Sequence, residues 1–213
     1  MSRVRVKVCG FTQAEDIAAA VDLGVDAFGF NLAAGPRRLE PDQAAALARL
    51  VPPPLGVVAL VMDQDVEQTL ALVARLRASA VQLHGAEPPH VAEALARRVP
   101  VIKAFRIRAV ADLHAAVAYP ADVLLLDAYS PTRAGGSGCT WDHSLLSTVA
   151  IDRRWMLAGG ITPENAAAAI AALAPWAIDV ASGVEDGQPG RKSRQRMAAL
   201  MAAAGEGGCP SNQ

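Results

Sequence analysis

The chain of 213 residues is 52% hydrophobic and only 19% charged, which excludes intrinsic disorder and fits one domain with a sizeable core or two small ones. Its 20 Lys and Arg against 21 Asp and Glu leave a formal net charge of -1 with no block of like charge, so nothing marks a nucleic-acid or polyanion surface. Three cysteines, Cys9, Cys139 and Cys209, lack the close pairing of a disulfide framework or a zinc site, and no run approaches the roughly 18 apolar residues of a membrane span. With no apolar leader before the first strand, the expectation is a cytoplasmic protein.

The first element is the stretch from Val4 to Gly10. Val4, Val6 and Val8 fall on one face of a strand, and Arg5, Lys7 and Cys9 share the other. A face carrying two cations and a thiol before a glycine suits the inside of a barrel that opens into a site. β-Branched runs then recur over 26–32, 55–62, 80–84, 100–105, 121–127, 154–158 and 177–181, which makes eight strands in all. Between them lie Ala- and Leu-rich segments at helical spacing, such as Ile17, Ala20, Val21 and Gly24, then Leu70, Val73 and Leu76.

Helix starts are marked too. Thr12 with Glu15 has the spacing of a capping box, Asp65 precedes the third helix, and Pro41, Pro88-Pro89 and Pro163 sit where a first helical turn accepts proline. Eight βα units in this length fit a compact α/β (β/α)8 barrel, the TIM-barrel architecture, better than a doubly wound sheet. No linker interrupts them, so one domain over 1–204 is expected. The Gly-rich segment 205–213 reads as a flexible C-terminal tail.

Barrel chemistry sits at the C-terminal strand ends. There the sequence places Cys9, the loop Gly35-Pro36-Arg37-Arg38, His84, Asp127, Gly159-Gly160 and Ser182-Gly183. Glycines can simply make βα turns, but both pairs after strands seven and eight match a phosphate site built from backbone amides. Cys9 has the composition of a small buried hydrophobe, yet shares a face with Arg5 and Lys7, which would favour a thiolate base or nucleophile. Asp127 closes an apolar strand, where desolvation favours a protonated carboxyl. Arg37 or Arg38 could clamp a carboxylate. His84 either supports a loop or touches substrate. Asp179 either orients a sugar hydroxyl or pairs with a cation such as Lys7.

Six segments in order carry a resemblance: Lys7-Val8-Cys9-Gly10; Gly29-Phe30 followed by Pro36-Arg37; Val81-Gln82-Leu83-His84-Gly85; Gly135-Gly136-Ser137-Gly138; the stretch from Leu157 to Asn165; and that from Asp179 to Glu185. Together they resemble the phosphoribosylanthranilate isomerase family of tryptophan biosynthesis. The resemblance implies Cys9 as general base, Asp127 as general acid and Arg37 as partner of the anthranilate carboxylate. It further implies Gly159, Gly160, Ser182 and Gly183 as phosphate cradle, with His84 and Asp179 in the substrate site. Gly135, Gly136 and Gly138 match a glycine-rich lid loop. The implied partner is a small phosphosugar in an Amadori rearrangement that needs no metal or redox cofactor, because the iminium formed on ring opening is the electron sink. Departures from the family pattern include Ala33-Ala34-Gly35 before Pro36, Ala181, and Ser193 after Lys192.

Three other readings compete. A histidine-pathway sugar isomerase would use two aspartates, against which Cys9 speaks. A ribulose-phosphate epimerase would need inward metal ligands, and of the four histidines only His84 closes a strand. A non-catalytic phosphate-binding barrel would be favoured if replacing Cys9 and Asp127 left function intact.

Overall fold

The computed structural model describes residues 3–127, 143–146 and 148–206. Its strands are β1 (Arg5–Cys9), β2 (Ala27–Asn31), β3 (Gly56–Val61), β4 (Ala80–Leu83), β5 (Val101–Arg106), β6 (Val123–Asp127), β7 (Trp155–Ala158) and β8 (Ala177–Val180). Each pairs in parallel with the next, and β8 returns to β1 through Arg5↔Ala177 to Val8↔Val180, closing the barrel. The helices that cross back between strands are α1 (Ala14–Asp22), α2 (Pro41–Ala48), α3 (Val66–Leu76), α4 (Pro89–Ala96), α5 (Val110–Ala118), α6 (His143–Leu146), α7 (Pro163–Leu173) and α8 (Arg194–Glu206). The last helix therefore takes in Gly205 and Glu206 of the expected tail. Residues 207–213 lie outside the described residues.

Helix starts follow the local chemistry. Asp65 accepts the Gln68 amide at 2.7 Å, while Pro41, Pro89 and Pro163 occupy first-turn positions where no amide is missed. Thr162 precedes Pro163, and its amide donates to Asn165 Oδ1 at 2.8 Å. The expected Thr12–Glu15 capping box does not form. Gln13 is the N-cap of α1 without a side-chain bond, and Thr12 Oγ1 donates instead to the Gly190 carbonyl at 2.9 Å. The competing partner is tertiary, and it ties the end of β1 to the loop after β8. Gly24 likewise stands beyond α1, in a turn with φ of 76°.

Two layers of core follow from strand parity. Outward-facing Val6, Val8, Phe28, Leu124, Leu126 and Leu157 are fully buried against the helices, in one cluster with Ile17, Ala20 and Leu95. At about 1.5–3 kcal/mol for each large apolar side chain, this sheet-to-helix layer supplies most of the hydrophobic stabilisation. The barrel interior is different. Val58, Ile102, Leu125, Met156, Ala158 and Ala177 cluster there, and with them stand the polar Lys7, Gln82 and Asp179, of which Asp179 is two residues beyond Ala177 on β8.

Arg5 corrects one expectation. It shares the parity of Lys7 but lies at the N-terminal end of β1, exposed, with its guanidinium 4.8 Å from the Trp176 ring. Parity fixes the side of a strand, not the depth along the barrel axis. Arg5 therefore meets solvent while Lys7 does not.

Candidate active site

A cavity of about 310 Å³ opens at the C-terminal ends of the strands, and Cys9, Arg37, His84, Asp127 and Asp179 all line it. A second hollow, also about 310 Å³, is lined by Gly159, Gly160, Ser182 and Gly183 and shares Asp127 and Asp179 with the first. The structure thus gathers every expected site residue into two adjoining spaces, apart from Gly135, Gly136 and Gly138, which lie outside the described residues.

Cys9 comes from β1, beside Gly29 of β2 in register. Two residues earlier on the same face, Lys7 Nζ donates to Asp179 Oδ1 at 2.7 Å, with Lys7 1% exposed. Burial works against the Lys7 ammonium, but the charges of Asp179 and Cys9 outweigh it, so the Lys7 pKa stands above its ordinary value and the group remains a cation. The thiol behaves otherwise. Burial pushes the Cys9 pKa up, and the opposing pull of Lys7 does not overcome that burial and the repulsion from Asp179. The expected depression of the thiol is therefore absent. Adjacent cations favour a thiolate only as far as their charge is not already matched, and Asp179 matches Lys7.

Arg37 follows β2, and its side chain crosses the face of Gly10. A Cβ at Gly10 would strike the Arg37 chain, and Gly10 itself has φ of 79°, so both space and backbone require glycine there. Arg37 Nε and Nη2 each donate at 2.6 Å to the two oxygens of Glu185 in a fork. Glu185 also accepts from Lys192 Nζ at 2.9 Å and from the Gly190 amide at 2.8 Å. Burial works to raise the Glu185 carboxyl, but Arg37, Lys192 and the Gly190 amide overturn it and hold the group at about 2. Lys192 shows the reverse balance: burial lowers it even against the attraction of Glu185.

The Glu185 carboxylate carries a prediction for acid stability. A carboxyl held at about 2 when folded against 4.5 otherwise contributes stability that is fully present above pH 4.5 and lost as pH falls towards 2. The contribution is about 3 kcal/mol. Denaturant unfolding of the wild type and of Glu185→Gln between pH 5 and 2 should show the gap between them narrowing over that window.

His84 directly follows β4. Gln82 Nε2 lies 2.9 Å from its Nδ1, and because an amide nitrogen donates, Nδ1 accepts and the ring carries its proton on Nε2. Burial lowers the His84 pKa, with the nearby Lys7 and Lys103 acting in the same sense, so the ring is neutral near pH 7. The loop behind it is anchored from outside the barrel. Lys103 Nζ donates to Gly85 O at 2.7 Å and to Glu87 Oε2 at 3.1 Å, while Glu87 accepts the amides of Asp63 and Gly85. This buried ion pair is fully hydrogen-bonded, the condition under which such a pair holds a loop in place.

Asp127 closes β6, opposite Arg106 of β5 in register and three strands round from Cys9. At the glycine-lined hollow, Gly159 and Gly160 take φ of 86° and 66°, and Ser182–Val184 forms a single 3-10 turn. A Cβ on Gly183 would collide with the carbonyl oxygen of Ile161, so the turn after β8 can close onto β7 only with glycine at this position.

Sequence reasoning missed Glu185, Lys192 and Gln82. The first two lie in a loop where no hydrophobic period applies, and a charged residue there reads as solvated. Strand parity did point Gln82 inward. Among the described residues no group of three or more His, Cys, Asp or Glu side chains is placed to hold a metal ion, and no helix is long and apolar enough to cross a membrane.

Known proteins share this fold. The family model described as N-(5'phosphoribosyl)anthranilate (PRA) isomerase matches residues 6–203. The N-(5'-phosphoribosyl)anthranilate isomerase of Desulforudis audaxviator is 42% identical over 85% of this chain and 89% of its own. The crystal structure of phosphoribosyl anthranilate isomerase from Thermus thermophilus is 43% identical, with a TM-score of 0.82 over 93% of this chain and 97% of that one. A structure of such an isomerase in complex with reduced 1-(o-carboxyphenylamino)-1-deoxyribulose 5-phosphate is 33% identical, with a TM-score of 0.85 over 94% of this chain and 98% of that one. A match running from within β1 into α8, on the same closed barrel, settles the family. The chain belongs to the phosphoribosylanthranilate isomerases.

Proposed function

We propose that the barrel mouth converts N-(5-phosphoribosyl)anthranilate to 1-(2-carboxyphenylamino)-1-deoxyribulose 5-phosphate, with Cys9 as general base and Asp127 as general acid. The observation that carries this reading is the cavity itself: Cys9, Arg37, His84, Asp127 and Asp179 converge on one space that continues into a hollow lined by two glycine pairs. A substrate with a carboxylate at one end and a phosphate at the other spans the two, and the relative in complex with the reduced product carries both groups.

The chemistry follows from the order of groups. As general acid, Asp127 delivers a proton to the furanose ring oxygen, the bond from that oxygen to C1 breaks, and the nitrogen lone pair forms the C1 iminium. The Cys9 thiolate then removes the proton from C2, and the electron pair moves into the C1–C2 bond to neutralise the iminium. The resulting enolamine tautomerises, its C2 hydroxyl becoming the ketone as C1 gains a proton. No atom is gained or lost overall. Gly159, Gly160, Ser182 and Gly183 offer backbone amides to the phosphate, and Arg37 keeps Nη1 for the anthranilate carboxylate because Glu185 takes Nε and Nη2. His84, a neutral Nε2–H donor, and Asp179, already bound to Lys7, suit the sugar hydroxyls.

The choice of Arg37 is testable against its neighbour. Arg38 is more than half exposed, pairs with the exposed Glu40 and does not line the Cys9 cavity. Arg37→Ala should weaken binding of the carboxylate-bearing product by roughly tenfold to a hundredfold, and Arg38→Ala by less than about twofold. Calorimetric titration with product reads both, and equal losses would show the wrong arginine had been chosen. For the function as a whole, the gene should restore growth without tryptophan to a bacterium lacking this isomerase. Failure of a well-expressed, folded chain to do so would remove the proposal.

A further inference from the structure

Glu185 touches neither cavity, yet it gathers more charge than any other loop residue near the site. It is the shared acceptor of Arg37, Lys192 and the Gly190 amide, and its side chain is only 7% exposed. Lys192 Nζ, wholly buried, has one other acceptor among the described residues, the Ala181 carbonyl at 3.1 Å, and Ala181 lines the Cys9 cavity. The same segment is stapled to the opposite side of the β8–β1 seam, where the Lys192 amide donates to Asp16 Oδ2 at 2.7 Å and Thr12 Oγ1 donates to Gly190 O. One carboxylate therefore fixes an arginine from the loop after β2 and a lysine from the loop after β8, on either side of the thiol of β1.

Resting on the functional reading above, we propose that Glu185 is the positioning residue of this site: it aims Arg37 at the substrate carboxylate and neutralises Lys192 beside Cys9.

The geometry separates the two tasks. With both Nε and Nη2 held by Glu185, the guanidinium plane is fixed and Nη1 is the end left for the cavity, so Arg37 meets substrate in one orientation without losing side-chain freedom on binding. For the charge task, the groups around Cys9 must be counted from every element. Lys7 lies on β1 and Asp179 on β8, paired with each other; Arg37 and Lys192 share Glu185; Asp127 lines the cavity from β6, and His84, after β4, is neutral. Among these groups, the Arg37–Lys192–Glu185 cluster carries an unmatched positive charge, one unit, and both of its cations act on Cys9. Arriving substrate carboxylate matches that charge. Removing the charge of Glu185 leaves two unmatched cations, and a thiolate becomes easier to form.

Two variants separate these effects. Glu185→Gln keeps the size but not the charge, and it presents an amide N–H to a guanidinium N–H. KM should rise roughly tenfold, and the acidic limb of the rate of Cys9 alkylation by iodoacetamide against pH, followed by mass spectrometry, should move to lower pH by about half a unit or more. Glu185→Asp keeps the charge but is one methylene short of both Arg37 and Lys192, so KM should rise while the limb stays within about 0.2 units of wild type. Adding Lys192→Met to Glu185→Gln removes one of the two unmatched cations and restores the wild-type charge of the cluster, so the limb should return to its wild-type place with KM still high, and this variant stands in should the single one fold poorly. An active wild type together with a Gln variant whose KM and limb are both unchanged, or whose kcat alone falls, overturns the proposal. A folded but inactive wild type removes the functional reading, and this inference with it.

Discussion

Cys9→Ala should lower kcat by roughly a hundredfold to ten-thousandfold, the contribution typical of a positioned general base, while product affinity and melting temperature stay near wild type. The second half of that expectation comes from packing. Cys9 is buried against Ala33 and Leu60 at the cavity wall, where losing one sulfur removes little apolar contact. The pH dependence has a definite sign. Burial holds the Cys9 thiol above its ordinary range, so the rate at which iodoacetamide alkylates Cys9, followed by mass spectrometry, should rise about tenfold per pH unit through neutrality and level off only above the thiol pKa. His84, lowered by burial, stays neutral across that range and adds no second limb. An alkylation rate that stays flat between pH 6 and 8 would contradict a thiol held up by burial.

Asp127→Asn should cost a similar factor in kcat by a different route. The amide keeps the shape of the carboxyl but has no proton to give the ring oxygen, so ring opening becomes the slow step. An isotope label makes the distinction visible. With deuterium at C2, Cys9→Ser should show a large primary effect because proton removal limits it. Asp127→Asn should show an effect near unity. The same isotope effect in both would contradict the division of labour between β1 and β6. Arg106, opposite Asp127 in register, offers a control at the same height on the barrel.

Much of the fold was legible because valines at every second position cannot sit still unless one face is buried, and the β1 pattern repeats round the barrel. Strand ends then led directly to Cys9, Asp127 and the glycine pairs. Three features were not legible, each for a physical reason. Arg5 and Lys7 share a parity, but depth along the axis separates an exposed cation over Trp176 from a buried one on Asp179. Thr12 had the spacing of a cap and found a tertiary acceptor in Gly190 instead. The acidity of Cys9 depends on the sum of burial and of charges from β8 and from the loops after β2 and β8, which lie far apart in the chain. Lys7, the neighbour visible in sequence, favours a thiolate only as far as Asp179, its candidate partner from β8, leaves its charge unmatched, and the structure pairs the two.

The most direct test follows the fluorescence of phosphoribosylanthranilate as purified wild-type protein, Cys9→Ala and Asp127→Asn are added in turn. Rapid loss of fluorescence with the wild type, and loss slowed by about two orders of magnitude or more with each variant at unchanged melting temperature, is the predicted result. A folded wild type that leaves the fluorescence unchanged, or variants that match it, would contradict the assignment of this cavity.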